Sequence, residues 1–440
     1  MGLREKLATL LPSGGIRFGR APAQVEPAPS TLTRSALLPW QQEDAPLPFA
    51  SLRPWIKTRT KHGTSWEHLE ALPAGFIHGT VPLAQALELP GGALDTLCGD
   101  DRLAGFDVRR ALFLDIEATG LSHGAGTCAF LIGLGHFDAE GRFLVRQLVL
   151  DSPENEMAQL ARFKELLEGF DTLVSFNGKS YDLSVLQTRL VLQRFYGPTA
   201  CELKLTPHLD LLHIHRAIWK GSLPDTRLQT LEKHVLGFER RDDVDGELIP
   251  SLYFSYLQRG DARSLDPVLA HNVMDVVSMA ALVGDLLRSI HQPHTCGEPH
   301  RLAGLAKLHL RRGLARKGVQ LIEQALALGL DGEPLRDALR TSVDAHRKLG
   351  EQERAWPVLE TWRRTFPRDV APWVELSKHH EHRTRDYGEA LRCAVQAQSL
   401  MLPWQSAEHA AVRKRIERLR KRAGGAQSAE VPALDTPPTH

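Results

Sequence analysis

Short apolar runs bounded by polar turns alternate with segments of helical spacing between Ala111 and Ile290. ALFLDIE (111–117) predicts an apolar strand that runs into carboxylates. AFLIGLGHF (129–137) and FLVRQLVL (143–150) predict two more strands, separated by Asp138, Ala139, Glu140 and Gly141, whose Asp and Gly suit a hairpin turn. Met157, Leu160, Ala161 and Leu167 recur at helical intervals over 154–168. DTLVSFN (171–177) reads as a fourth strand and leads directly into a helix from about Tyr181 to Phe195. Further helical stretches are expected at 209–219, 226–236, 250–258 and 266–290. Three hairpin-linked strands followed by a helix, a strand and more helices predict an α/β domain over 106–290, with a mixed sheet whose first three strands are antiparallel.

The pattern changes after His291, Gln292, Pro293 and His294. Residues 300–422 carry only helical spacing, rich in Ala, Leu and Arg, and helical pairs recur about every 34–37 residues. Gly313 and Gly350 stand at similar turns, and Trp373 opens a third unit. That unit has an aromatic residue and Leu early, a turn at Asp386, Tyr387 and Gly388, then Ala390 and Ala394; it resembles a tetratricopeptide repeat. The stretches 302–330 and 335–367 follow the same pattern more loosely. Three stacked pairs would bury a continuous core and leave a concave face suited to a protein partner. Upstream, residues 46–105 contain apolar positions of weak periodicity and read as an N-terminal extension of the α/β domain. Residues 1–45 hold a short amphipathic stretch, Leu3 to Leu11, and then APAQVEPAPSTLTRS. Residues 423–440 are again rich in Pro, Ala and Ser. Neither segment can bury enough apolar surface to order itself, so both are expected to be flexible tails.

A length of 440 residues with 42% apolar content suits two soluble domains. The 54 basic and 53 acidic residues nearly cancel, but their distribution is uneven. Arg301–Arg422 holds 25 Lys and Arg against 15 Asp and Glu, a net of +10; with +1 for the whole chain, the remainder carries −9. A basic helical part and an acidic remainder suit a nucleic-acid protein whose acidic part binds cations; ordinary solvated helix faces explain the imbalance equally well. The cysteines, Cys98, Cys128, Cys201, Cys296 and Cys393, form no CxxC pair, which argues against a disulfide framework or a zinc or iron–sulfur site. MGLREKLATLLPSGG lacks the apolar core of a signal peptide, and no run approaches a membrane span; a cytoplasmic protein is expected.

Candidate chemistry centres on Asp115, Ile116 and Glu117. Side chains at i and i+2 of a strand share a face, so the two carboxylates project together. They repel each other unless a cation or a proton lies between them, and oxygen ligands of this kind suit Mg²⁺ or Mn²⁺. A strand that simply ends in a polar loop is the plainer alternative. Two later motifs alter the balance. Asn177, Gly178, Lys179, Ser180, Tyr181 and Asp182 place a third carboxylate at the start of a helix, next to a strand's carboxyl end. His271 and Asp275, four residues apart, share one face of a late helix.

DxE on the first strand, NGxxxD after a later strand and HxxxD on a late helix resemble, in that order, the DEDD exonucleases. The closest resemblance is to their bacterial YprB-type RNase H-like branch, through DIEATGL, NGKSYD, HLDLL (208–212) and HNVMD (271–275). The resemblance spans roughly 105–290. It implies an RNase H-like fold and phosphodiester hydrolysis with two Mg²⁺ or Mn²⁺ ions, as a 3′–5′ exonuclease on DNA or RNA. Asp115 would bridge both ions, Glu117 and Asp182 would complete their shells, and Asp275 would hold the ion that activates water. One feature departs from the pattern. The superfamily carries a His five positions, or a Tyr four positions, before its last Asp, whereas His271 is a His at the Tyr spacing. The two offsets differ by about 100° around a helix. His271 is therefore read as the general base, with orienting water or capping the site as the alternatives.

Other residues carry weaker signals. Thr119 and Gly120 follow the carboxylates where a terminal nucleotide lies in the resembling family. Asn177 touches a phosphate or organises its turn, and Lys179, Arg216 and Lys220 meet phosphates or simply face solvent. Asp210 borders the site in the resembling family, but its place at a helix start favours a cap. His291, His294, Cys296 and His300 match no zinc spacing, and no metal is assigned to them. The run Arg413, Lys414, Arg415, Arg418, Arg420, Lys421 and Arg422 is either a solvated helix end or a nucleic-acid contact. Two functions follow: an active nuclease, or a non-catalytic adaptor that grips nucleic acid while its helices bind a protein partner. Four retained carboxylates favour the nuclease.

Overall fold

A computed structural model describes residues 55–120, 126–195, 203, 206–402 and 406–423. The expected tails, 1–45 and 423–440, lie outside the described residues apart from Ala423. The chain divides between Gly297 and Glu298 into two compact units.

The first unit is built on a seven-stranded sheet. Its strands are β1 (Trp55–Thr60), β2 (Gly63–Leu72), β5 (Ala111–Ala118), β6 (Ala129–Phe137), β7 (Phe143–Val149), β8 (Thr172–Ser175) and β9 (His208–Asp210). Two short strands, β3 (Ile77–His78) and β4 (Val81–Pro82), pair separately. The order is β1-β2-β7-β6-β5-β8-β9; pairing is antiparallel from β1 to β5, and β8 and β9 run parallel to β5. The mixed sheet with antiparallel first strands is thus present, and residues 55–72 enlarge it. Their weak periodicity has a physical cause. Ser65, Trp66, Glu67 and His68 are all buried in succession. Glu67 can be buried because Arg146 and Arg162 pair with it, the latter at 2.8 Å.

Alternation along β5 sets up the site. Leu112, Leu114 and Ile116 pack into an apolar cluster with Leu160 and Phe163 of α1 (Glu156–Leu167) and Leu183, Leu186 and Leu190 of α2 (Asp182–Leu192). The intervening residues face the other way, where Phe113 meets Phe137 and Phe143 edge-on. Asp115 and Glu117 share that second face. It is covered in part by α5 (Asp266–His291), a 26-residue helix buried around most of its circumference. Two further helices of this unit are α3 (Leu211–Trp219) and α4 (Ile249–Arg259). Helical spacing predicted a helix from 209, but His208–Asp210 is extended beside β8. The Asp210 side chain accepts from Leu212 N at 3.1 Å, so the helix starts one residue after it. The expected helix at 226–236 is a single α turn, Leu228–Leu231, followed by a π turn, Glu232–Leu236.

The second unit is helical: α6 (Pro299–Arg311), α7 (Ala315–Ala327), α8 (Gly332–Lys348), α9 (Gln352–Thr365), α10 (Val370–His379), α11 (Tyr387–Leu400) and α12 (Ser406–Ala423). α6 packs on α7, α8 on α9 and α10 on α11, with α12 against α11. Gly313 and Gly350 follow α6 and α8 in the left-handed conformation, with φ of 79° and 74°, as a helix end favours. Among the described residues, no helix is long and apolar enough to cross a membrane.

The basic run on α12 is partly spent within this unit. Arg415, Arg418 and Arg422 all pair with Glu381, whose side chain is fully covered; Arg418 Nε lies 2.8 Å and Arg422 Nη1 3.2 Å from it. The hydrogen bond from Arg418, aided by the neighbouring arginine charges, holds the Glu381 carboxyl below its ordinary value of 4.5. The stabilisation is therefore present above that value and disappears as pH falls through the lower folded pKa. Glu381→Gln is expected to cost about 1–2 kcal/mol at pH 7, since two of the arginines are screened by solvent. Urea unfolding followed by circular dichroism should show the gap from wild type closing in acid; a gap independent of pH would contradict the assignment.

Candidate active site

β5 ends in a register shift between Glu117 and Ala118, a bulge that loosens pairing where the carboxylates emerge. Beyond it, Thr119 and Cys128 bridge the diverging strands: Thr119 N donates to Cys128 O at 2.9 Å and Cys128 N to Thr119 Oγ1 at 3.0 Å. Asp115 Oδ2 accepts from Asn272 Nδ2 of α5 at 2.8 Å. Asn272 Oδ1 in turn accepts from Gln147 Nε2 at 2.8 Å, and the same amide group donates to Leu269 O at 2.9 Å. Asp115 and Gln147 both pair with Gly133 across the ladders. A Cβ on Gly133 would stand 2.2 Å from Asn272 Oδ1, so only glycine lets this amide reach Asp115.

Asp182 opens α2 and is buried, with Oδ1 accepting from Ile116 N at 3.3 Å. The preceding turn is braced from behind. Asn177 takes a left-handed φ of 68°. Asp210 accepts from Asn177 N at 2.9 Å and Lys179 N at 3.1 Å while capping α3, so this buried carboxylate ties the turn to the helix. Tyr181 Oη donates to Gly120 O at 2.5 Å, joining the turn to the end of β5. Lys179 Nζ lies 3.6 Å from Asp100, and Arg216 and Lys220 are exposed on and after α3.

From α5, His271 and Asp275 complete the group. His271 Nε2 is 3.5 Å from Asp275 Oδ2 and 3.9 Å from Glu117 Oε1. Its other nitrogen, Nδ1, sits 2.8 Å from Asp243 Oδ1. Arg240 enters the same crease. It donates to Asp275 Oδ1, to Asp243 Oδ2 at 3.0 Å and to both oxygens of Glu232 at 2.6 and 2.7 Å. Ser278 Oγ also donates to Glu232, and His78 Nε2 lies 2.8 Å from that hydroxyl. The sequence reading passed over Arg240, Asp243 and Glu232. Arg240 and Asp243 stand in the run Glu239, Arg240, Arg241, Asp242, Asp243, which has the composition of a solvated loop.

Electrostatics follow from this crowding. Burial raises Asp115 well above its ordinary value, with further contributions from Asp275, Glu117 and Asp182. Burial also raises Glu117, aided by Asp275, Asp182 and Asp243, and pushes Asp182 up to about 7. Burial would lower His271, but Asp275 and the Asp243 hydrogen bond outweigh it and raise the imidazole to about 9. Arg240 and protonated His271 match the charges of Glu232 and Asp243. Arg240 eases the charge on Asp275 and His271 that on Asp115, but Asp115, Glu117, Asp182 and Asp275 still repel one another.

These donors fit a hard divalent cation. All four are carboxylates, and single ligand atoms of Glu117, His271 and Asp275 lie within 4.8 Å of one another. The side chains of Glu117, His271 and Asp275 keep 15, 13 and 16% exposure, enough for solvent and a small ion to reach them. A second group, His380, Glu389 and Cys393, lies in the helical unit, where Cys393 belongs to the apolar core and Glu389 pairs with Arg392. Of the linker residues, His291 turns to Pro90 O at 2.9 Å and His300 to Asp331 at 3.3 Å.

A carboxylate-lined crease on an interior strand of a mixed sheet defines a class, and residues 112–287 match the family model of the RNase H superfamily. Over 322 residues the chain is 30% identical to a Bacillus subtilis (strain 168) protein described as uncharacterized protein YprB, a match spanning 72% of this chain and 76% of that protein. The chain belongs to the YprB family of RNase H-superfamily proteins. A chain in the crystal structure of the APC/C hetero-tetramer Cut9–Hcn1 aligns with 61% of this chain and 64% of its own, at 12% identity and a TM-score of 0.25.

The Gly133–Asn272 contact yields a test of the Asp115 support. Gly133→Ala should lower stability by about 1–3 kcal/mol through overpacking. Adding Asn272→Ala should cost less than the sum of the two single changes, because it removes the atom that clashes. Thermal unfolding of the four proteins measures this coupling, and strictly additive losses would contradict the contact.

Proposed function

We propose that the protein is a metal-dependent nuclease that hydrolyses phosphodiester bonds of DNA or RNA, acting as a 3′–5′ exonuclease. The observation that carries this reading is the set of four mutually repelling carboxylates from three separate elements, with His271 Nε2 turned towards two of them. Asp115, Glu117, Asp182 and Asp275 would hold two Mg²⁺ or Mn²⁺ ions. Bound there, such ions make water a stronger nucleophile and stabilise the departing oxygen. The chain's own groups do the rest. Asn272 fixes Asp115, the Ile116 amide fixes Asp182, and Arg240 fixes Asp275. His271 is held protonated mainly by the pull of Asp275 and Asp243, and its Nε2, turned to Asp275 and Glu117, is the atom assigned to proton exchange with the attacking water.

Polarity rests on the motif order shared with the DEDD exonucleases. Thr119 and Gly120, at the end of β5, and Asn177 and Lys179, on the turn braced by Asp210, are assigned to the substrate backbone. The paired helices of the second unit are assigned to a protein partner, in the manner of a tetratricopeptide domain, and the cytoplasm is the proposed location.

Single- and double-stranded DNA and RNA, labelled at either end, test this with Mn²⁺, Mg²⁺ or EDTA. Metal-dependent shortening from the 3′ end is expected. Asp115→Asn and Asp275→Asn should each retain less than about a thousandth of the wild-type rate. Asp115→Asn should also melt no lower than wild type without metal, because it removes one member of a repelling group. Full activity in either variant would overturn the site. Binding of nucleic acid without cleavage of any substrate would favour the non-catalytic adaptor.

A further inference from the structure

Among the groups that the carboxylate set leaves unexplained, Arg240 and Asp243 have the densest contacts. Arg240 retains 5% of its side-chain exposure and Asp243 11%. Neither touches the sheet carboxylates Asp115 or Asp182 through a hydrogen bond, yet both reach α5. Asp243 lies on His271 Nδ1, and Arg240 binds Asp243 and Asp275 at once. Arg240 is itself fixed by Glu232, on the π turn that Gly237 closes at a φ of 65°. That turn is tied back to the N-terminal ladder, since Thr80 N donates to Leu236 O at 2.7 Å.

We propose that Asp243 is a positioning residue for His271, and that the Glu232–Arg240 pair holds Asp243 in place. An imidazole on a helix can rotate about two side-chain bonds. Its spacing of four from Asp275 does not by itself decide which nitrogen faces the reacting groups. A carboxylate accepting the Nδ1–H fixes the ring plane and leaves Nε2 pointing at Glu117 and Asp275. This is how a histidine set one residue away from the usual offset can still face the site. The partner comes from the 237–245 loop, outside the motifs that identify the site. Arg240 gives Asp243 a second role, because it prevents that carboxylate from turning away to join the acidic group.

This inference rests on the nuclease reading, so the experiment uses full-length protein and separates the two. In metal-free protein, the proton NMR spectrum should contain a far-downfield Nδ1–H resonance that is lost in His271→Ala and in Asp243→Ala. In the Mn²⁺-dependent cleavage assay, Asp243→Ala should lower kcat about 10–100-fold with little change in KM. Asp243→Glu should recover part of that loss. The double variant Asp243→Ala/His271→Ala should be no slower than His271→Ala alone, since Asp243 acts only through the ring. A resonance that survives Asp243→Ala, or losses that multiply in the double variant, would overturn the positioning role and leave the nuclease reading standing. A wild-type protein that cleaves no substrate would overturn both.

Discussion

Four carboxylates confined at one end of a strand repel one another, and much of the first unit is arranged to hold them there. Asp115 and Glu117 share a face because β5 alternates, and the opposite face of the same strand is anchored in an apolar core with α1 and α2. Such an arrangement costs stability in the absence of counter-charge: burial first, and then the neighbouring carboxylates, raises Asp115, Glu117 and Asp182 above their ordinary values. A protein built only to bind would have no use for that cost. A cation site does, because the repulsion that disfavours the empty cluster is relieved when positive charge enters it.

The surrounding shell is ordered by hydrogen bonds from backbone and neutral groups as much as by charge. Asn272, itself held by Gln147, donates an amide hydrogen bond to Asp115 through a gap that Gly133 keeps open, and a backbone amide of β5 holds Asp182. Asp210, which could be read as another acidic ligand, is fully occupied by three backbone donors and acts as a buckle between β9, α3 and the turn after β8. The cations of the shell, Arg240 and His271, pair with the additional acids Glu232 and Asp243 and also reach Asp275, the one member of the central four that both share.

Most of this frame is legible in the sequence, and the parts that are not have identifiable causes. Short apolar runs bounded by polar turns mark β5, β6 and β7. β1 and β2 were hidden because Glu67 and His68 are buried polar residues, and the arginines that pair with Glu67 are distant in the chain. β9 was hidden because three residues cannot establish a period, and Asp210 reads equally as the start of a helix. Within the site, Asp115, Glu117, Asp182 and Asp275 stand in local motifs, the first two on β5, the third at the start of α2 and the last inside α5. Arg240 and Asp243 do not: their neighbours are charged, their loop carries no period, and only folding brings them 28 to 35 residues back to α5. The same holds for the basic run on α12, where charge alone suggests an exposed nucleic-acid surface but three arginines converge on Glu381.

The central claim is that the crease between β5, α2 and α5 is a divalent-cation site, and diffraction from crystals soaked in Mn²⁺ tests it most directly. Anomalous peaks should appear among Asp115, Glu117, Asp182 and Asp275, with His271 still seated on Asp243. Crystals saturated with Mn²⁺ that show no peak among those four carboxylates would contradict the account.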